Sequence, residues 1–191
     1  MTRRLEQEFT AKQWSKESFN TTLEVRRKSK PDIAQTSTGN THELDHFRAF
    51  DGRRRGLALE IEWNTKDTFY DRDLGNFQKL HSLGIISVGI IVTRSTPLQN
   101  KLQELFVQEY IRNPRRALNW LGRRPTWMKK AIAQIPDRKK RLERIAQSAF
   151  SSKYGASTTH WGKLQEHLDR GMGAPCPLVL IGIGADQLVT N

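Results

Sequence analysis

LALEIEWNTKD, residues 57–67, is the stretch on which the reading of this chain turns. Leu57, Leu59, Ile61 and Trp63 alternate with Ala58, Glu60 and Glu62, so an extended strand carries both glutamates on one side. A carboxylate on an apolar strand costs stability unless it is solvated, paired or bound to a cation. Two readings are open. Most isolated Glu-x-Glu pairs face solvent on an amphipathic strand; the sharper reading is an acidic functional site.

Working outward, HELDHF (residues 42–47) supplies a second extended run, and DGRRRG (residues 51–56) joins the two. Asp-Gly opens that connector, so the segment predicts a β-hairpin. Facing residues of a hairpin keep a constant index sum. A connector centred on Gly52–Arg53 sets Asp45 opposite Glu60, and Glu43 opposite Glu62. Several acids facing one another destabilise a hairpin and imply a cation between them. Hard oxygen ligands point to Mg2+ rather than zinc. Asp51 competes with Asp45 for the role of metal ligand. Asp before Gly is common for purely local reasons, so Asp45 ranks first.

The acids sit in a basic chain. Its 191 residues, enough for one domain with a real core, hold 32 Lys and Arg against 20 Asp and Glu, a net +12. Such an excess favours a polyanionic partner, DNA or RNA rather than a membrane, since no basic amphipathic anchor stands out. Three acids in this setting suggest a metal-dependent nuclease. One cysteine, Cys176, rules out an intrachain disulfide and a cysteine-based zinc site, and within PCPLVLIGIG it reads as a core thiol. MTRRLEQEFT has no apolar signal core, and no run approaches the ~20 residues that span a bilayer, so a cytoplasmic protein is expected.

Leu5–Glu24 reads as holding helical turns and Lys28–Asn40, rich in Ser, Thr and Gly, as loop. Asp71–Leu83 spaces Leu74, Phe77, Leu80 and Leu83 by three, which predicts a helix capped at Gly84. Ile85–Thr93 is a buried apolar strand by composition. Strand, helix and strand make a right-handed βαβ unit with parallel strands. Helices follow at Leu98–Tyr110, Asp137–Phe150 and Trp161–Arg170, and a last apolar strand at Pro177–Ile183. Between Arg112 and Arg144, twelve Lys and Arg face only Asp137 and Glu143, so most of the excess charge lies in one segment. Residues 1–191 are read as a single α/β domain with a basic helical segment at about 112–150.

LDHF…LALEIEW, followed by a crossover helix and a buried parallel strand, resembles the PD-(D/E)XK nuclease core. More narrowly it resembles the type II restriction endonucleases of the BglII, BstYI and BamHI group. WNTKD, RDL, GIISVGIIVTR and PLVLIGI recur in the same order as in that group. The resemblance covers roughly residues 43–93 and 154–184. It implies a restriction-endonuclease-like fold, with a mixed central sheet flanked by helices. The implied activity is Mg2+-dependent cleavage of double-stranded DNA at a short palindrome by a homodimer. Asp45 and Glu60, with the Ile61 carbonyl, would ligate the metal. Glu62 would orient or deprotonate the attacking water. The motif lysine of the superfamily is absent, its place taken by Glu62. Residues just after this strand reach the major groove in the BamHI-like group, which assigns Asn64 to adenine and Lys66 to guanine or phosphate.

Other candidates carry two readings each. Arg72 is a salt-bridge partner for neighbouring aspartates or a phosphate contact, while Asp67, Asp71 and Asp73 favour the helix N-terminus. Arg94 is a strand-end arginine or a phosphate contact. Thr158 and Thr159 cap the following helix or, with His160, form a second DNA-contacting loop. Arg123, Arg124, Lys129 and Lys130, interleaved with Trp120 and Trp127, form a solvated face or a DNA-contacting patch. The competing functions are a related nuclease of repair or recombination, and an inert basic DNA- or RNA-binding protein.

Overall fold

The structure, a computed structural model, describes residues 2–40, 43–50 and 55–187. Its strands are β1 (Ser15–Glu17), β2 (Asn20–Arg27), β3 (Lys30–Asn40), β4 (Leu44–Ala49), β5 (Gly56–Glu62), β6 (Ile86–Arg94) and β7 (Leu178–Ile183). Its helices are α1 (Thr2–Ala11), α2 (Phe69–Ser82), α3 (Thr96–Arg112), α4 (Pro114–Gly122), α5 (Thr126–Ala133), α6 (Arg138–Tyr154) and α7 (Trp161–Asp169). Five strands form a mixed sheet in the order β1-β4-β5-β6-β7, and β2 and β3 form a sheet of their own.

β4 and β5 are the expected hairpin. They pair antiparallel from His46 with Leu59 to Ala49 with Gly56, and this register sets Asp45 level with Glu60. The Gly56 N–H donates to the Ile85 carbonyl, so β5 and β6 start side by side. Gly89 donates to Pro177, and Ser95 donates to Ile183. β6 and β7 therefore advance in step, as parallel neighbours do. α2 makes the crossover. Its C-terminus closes as expected at Gly84, whose φ of 71° is the left-handed turn glycine permits.

The chain divides into two compact units, with boundaries inside β5, β6 and β7. The first comprises Met1–Ile61, Thr68–Val92 and His167–Ile181. Its core is Leu44, Leu59, Tyr70, Leu74, Phe77, Leu80, Ile86 and Ile91. Gly89 is part of that packing: a Cβ there would lie 2.3 Å from the Phe77 ring. The second unit comprises Glu62–Asp67, Thr93–Glu166 and Gly182–Asn191. Tyr110, Ala117, Ile132, Leu142, Ile145, Ala146 and Ala149 form its helical core. α3 is capped by the Ser95 side chain and α6 by that of Asp137.

Two expectations for the N-terminal region change. Lys30–Asn40 is a strand, not a loop. The region expected to hold helical turns is helical only to Ala11 and then forms β1 and β2. The reason is local. β2 and β3 pair with each other and bury almost nothing, so their sequence carries no apolar face to read. Cys176 is buried as expected, and burial pushes its thiol pKa up.

Candidate active site

Every residue of β5 from Ala58 to Glu62 is buried, which removes the reading of a solvated strand for Glu60 and Glu62. In the first unit, the Asp45 N–H donates to Glu60 Oε2 at 3.3 Å, and the Ile61 N–H donates to Asp45 Oδ2 at 2.9 Å. The hairpin thus locks two carboxylates side by side. Glu60 is 1% exposed, and its other oxygen, Oε1, has no hydrogen-bond partner. A buried carboxylate oxygen without a donor is costly in a structure that otherwise satisfies its polar groups.

Asp73 adds to the effect. It lies on α2 and is fully buried, paired with Arg72 at 2.7 Å. Burial, then the charge of Asp73, then that of Asp45 push the Glu60 carboxyl up to about 9, against the pull of the Asp45 N–H and of Arg72. Without a cation, burial and these acidic neighbours favour the protonated form of Glu60, and a cation at Oε1 would favour the charged one. Sequence reading placed Asp73 with the helix-start acids and missed it. The signal was there: Asp73 lies three residues after Tyr70 and four before Phe77, on the buried stripe of α2.

This donor set fits a hard divalent cation. Asp45 and Glu60 offer carboxylate oxygens, and the orphaned Glu60 Oε1 is a ligand position without a proton donor. Among the described residues no group of three or more His, Cys, Asp or Glu side chains is arranged to hold a metal alone. An ion here would complete its shell with backbone oxygen, water and substrate, which is how Mg2+ is commonly held. Asp51 lies outside the described residues. Glu43 is exposed, 3.8 Å from Lys16, and takes no part.

The second unit holds the other acid. Glu62 is 3% exposed and accepts a hydrogen bond from the Thr65 hydroxyl. Thr65 Oγ1 lies 3.2 Å from Thr159 Oγ1, and the Thr159 N–H donates to the Thr65 carbonyl. The Asp67 N–H donates to the Ser157 carbonyl, and Lys66 bridges Thr158. The loop carrying Asn64 and Lys66 is thereby stitched to residues 157–159. Thr65 was not singled out from sequence, because a lone threonine in a polar loop gives no signal. Asn64 and Lys66 are exposed.

Several candidates prove to be internal. Arg94 is fully buried; its guanidinium donates to Thr158 Oγ1, the Thr159 carbonyl and Gln99, and lies over the Tyr154 ring. Its charge is spent on protein, so the phosphate reading gives way to that of a structural clamp. Thr159 is also fully buried, which removes its side chain as a DNA contact. Neither threonine hydroxyl caps α7: that of Thr158 donates to Gly155, and that of Thr159 meets Thr65. His160 is half-buried, and burial, Arg94 and Lys163 push its pKa down. Arg72, held by Asp73 and stacked over Phe69, takes the salt-bridge reading.

The basic segment splits in the same way. Arg123 and Lys130 are exposed and Lys129 is half-buried. Arg124 stacks over Trp120, which packs against the helical core, whereas Trp127 is 68% exposed. Asp71 pairs with His167 at 2.7 Å, and Asp67 lies 3.9 Å from Lys163, so both do more than favour a helix end.

No curated protein matches the chain. The family model described as restriction endonuclease BglII/BglIII matches residues 1–183, a span that includes the hairpin, the crossover and the closing strand. On this match the chain belongs to the BglII/BglIII family of restriction endonucleases, hydrolases that cut DNA.

Proposed function

We propose that this chain is a type II restriction endonuclease acting as a single nuclease domain in the cytoplasm. It hydrolyses phosphodiester bonds of double-stranded DNA at a short palindrome, with Mg2+, and makes double-strand breaks as a homodimer. The observation that carries the proposal is the Asp45–Glu60 pair, with its buried, donorless carboxylate oxygen.

Asp45 and Glu60, with the Ile61 carbonyl, would hold the ion. When bound, Mg2+ lowers the pKa of coordinated water and offsets charge on the phosphate. Glu62, two residues further along the same strand, receives the proton of the attacking water and orients it. Its carboxylate is held for that task by the Thr65 hydroxyl. Asp45 fixes Glu60 through its backbone N–H and is itself fixed by the Ile61 N–H. Asn64 and Lys66 are assigned to base edges in the major groove, with Arg123 and Lys130 on phosphates. A twofold dimer matches a palindrome, and α2 with its neighbouring loop is the proposed dimer face.

The test is a digest of DNA of known sequence, with and without Mg2+, followed by mapping of the ends. Discrete fragments sharing one terminal sequence are expected. Structure-dependent nicking would move the protein to another nuclease role, and binding without cutting would refute catalysis.

A further inference from the structure

The two-stranded sheet β2–β3 has no role in the site described above. Among the described residues its strands pair only with each other, from Asn20 with Asn40 to Arg27 with Lys30, around a turn at Lys28 and Ser29. From Thr22 to Thr38 every described residue is exposed. An isolated two-stranded ribbon is marginal in water, and this one stays paired from Asn20 to Arg26 in one register, shifts before Arg27, and buries almost nothing. A ribbon of that kind is expected to gain its cover from a partner.

Charge identifies the partner. The tip reads RRKSK over residues 26–30. Arg26 is occupied, by the Glu24 carboxylate and the Pro31 carbonyl. Arg27, Lys28 and Lys30 are exposed and form no ion pair among the described residues. Arg27 and Lys30 face each other across the ribbon. Leu23, Val25 and Arg27 alternate on one face, opposite Ser37, Gln35 and Lys30. Leu23 is 63% exposed and Val25 is 56% exposed. A second copy of the chain would bring the same cations against its own. A duplex would offer them phosphates, and the major groove is wide enough to admit a two-stranded β-ribbon. There the small aliphatic face suits sugar edges and thymine methyls.

We propose that the β2–β3 ribbon is a DNA-contacting arm. Arg27, Lys28 and Lys30 bind backbone phosphates, and the Leu23–Val25 face lies against the duplex. This deepens the nuclease reading and rests on it. The cations bind backbone, so they add affinity on every sequence and leave the choice of site to the loop at Asn64 and Lys66.

The test is binding of a labelled 30-base-pair duplex by fluorescence anisotropy over a range of salt, using the full chain. Arg27→Gln/Lys28→Gln/Lys30→Gln should flatten the dependence of log affinity on log salt by about 0.9 for each phosphate that is no longer neutralised, or roughly 2 to 3 in all. The weakening should be equal on duplexes of unrelated sequence. Ser29→Lys, which adds a charge to the turn, should steepen the slope, and it gives a reading even where the triple variant folds poorly. A slope unchanged in both variants, with steep wild-type binding, overturns the arm alone. A dimer that falls apart in Leu23→Asp/Val25→Asp by light scattering, with an unchanged salt slope, overturns it in favour of self-association. A wild-type chain that does not bind duplex at low salt overturns the arm and the nuclease reading together.

Discussion

Replacing Glu60 by Gln removes one titrating group and keeps the shape of the side chain, so it isolates what that carboxyl does to stability. In the unfolded chain Glu60 titrates near 4.5, and in the folded, metal-free protein burial and two neighbouring acids raise it to about 9. The folded state therefore holds one more proton than the unfolded state between those values. The stability this proton confers is fully present below pH 4.5 and is lost as pH rises through 9. Each pH unit inside the window costs about 1.4 kcal/mol, so from pH 6 to pH 8 the wild-type chain should lose about 3 kcal/mol more than Glu60→Gln. Urea unfolding of both proteins in chelator at pH 6, 7 and 8 measures the difference. Mg2+ should restore the wild type more strongly at pH 8 than at pH 6, because it competes with a proton, and should do little for Glu60→Gln. Parallel pH profiles in the two proteins would refute the assignment of Glu60 as a buried, proton-bearing acid.

Glu62→Gln should slow cleavage and Glu62→Ala should slow it further, by about 100-fold or more if Glu62 is the base. Thr65→Val should lower the turnover and shift its pH profile, and Thr65→Ser should recover both, as read from single-turnover kinetics. Arg94→Ala leaves the Thr159 carbonyl, Thr158 and Gln99 without their donor and should destabilise folding by about 3 kcal/mol in urea, with Arg94→Lys recovering only part. Asp45→Ala should abolish cleavage and leave duplex binding largely intact; a dead Asp51→Ala beside an active Asp45→Ala would transfer the ligand role to the connector.

What the sequence made legible was whatever the main sheet imposed on it. Apolar alternation and the Asp-Gly connector were enough to place β4 against β5 in the register that sets Asp45 beside Glu60. The spacing of Leu74, Phe77 and Leu80 and the β-branched run of β6 were enough for the crossover. β2 and β3 were illegible because a ribbon exposed on both faces needs no periodicity, and its threonines, serines and glycine read as loop. The candidate site was legible in so far as its acids lie on one hairpin. Asp73 and Thr65 were not, because Asp73 acts on Glu60 through its charge from the buried side of a helix and Thr65 meets Glu62 by a hydrogen bond within a loop. For Arg94 and Thr159 the sequence left two readings each, for a related reason. A charged residue at a strand end, or a threonine in a loop before a helix, looks exposed in sequence, and only the fold shows both buried.

Whether this chain cuts DNA through the Asp45–Glu60 pair is tested most directly by one digest. Wild type and Glu60→Ala are incubated with the same plasmid, with Mg2+ and with chelator, and the products are resolved and end-mapped. Discrete double-strand fragments from the wild type in Mg2+ alone, with none from Glu60→Ala despite retained duplex binding, are predicted. Cleavage by Glu60→Ala at the wild-type rate, or by the wild type in chelator, would contradict it.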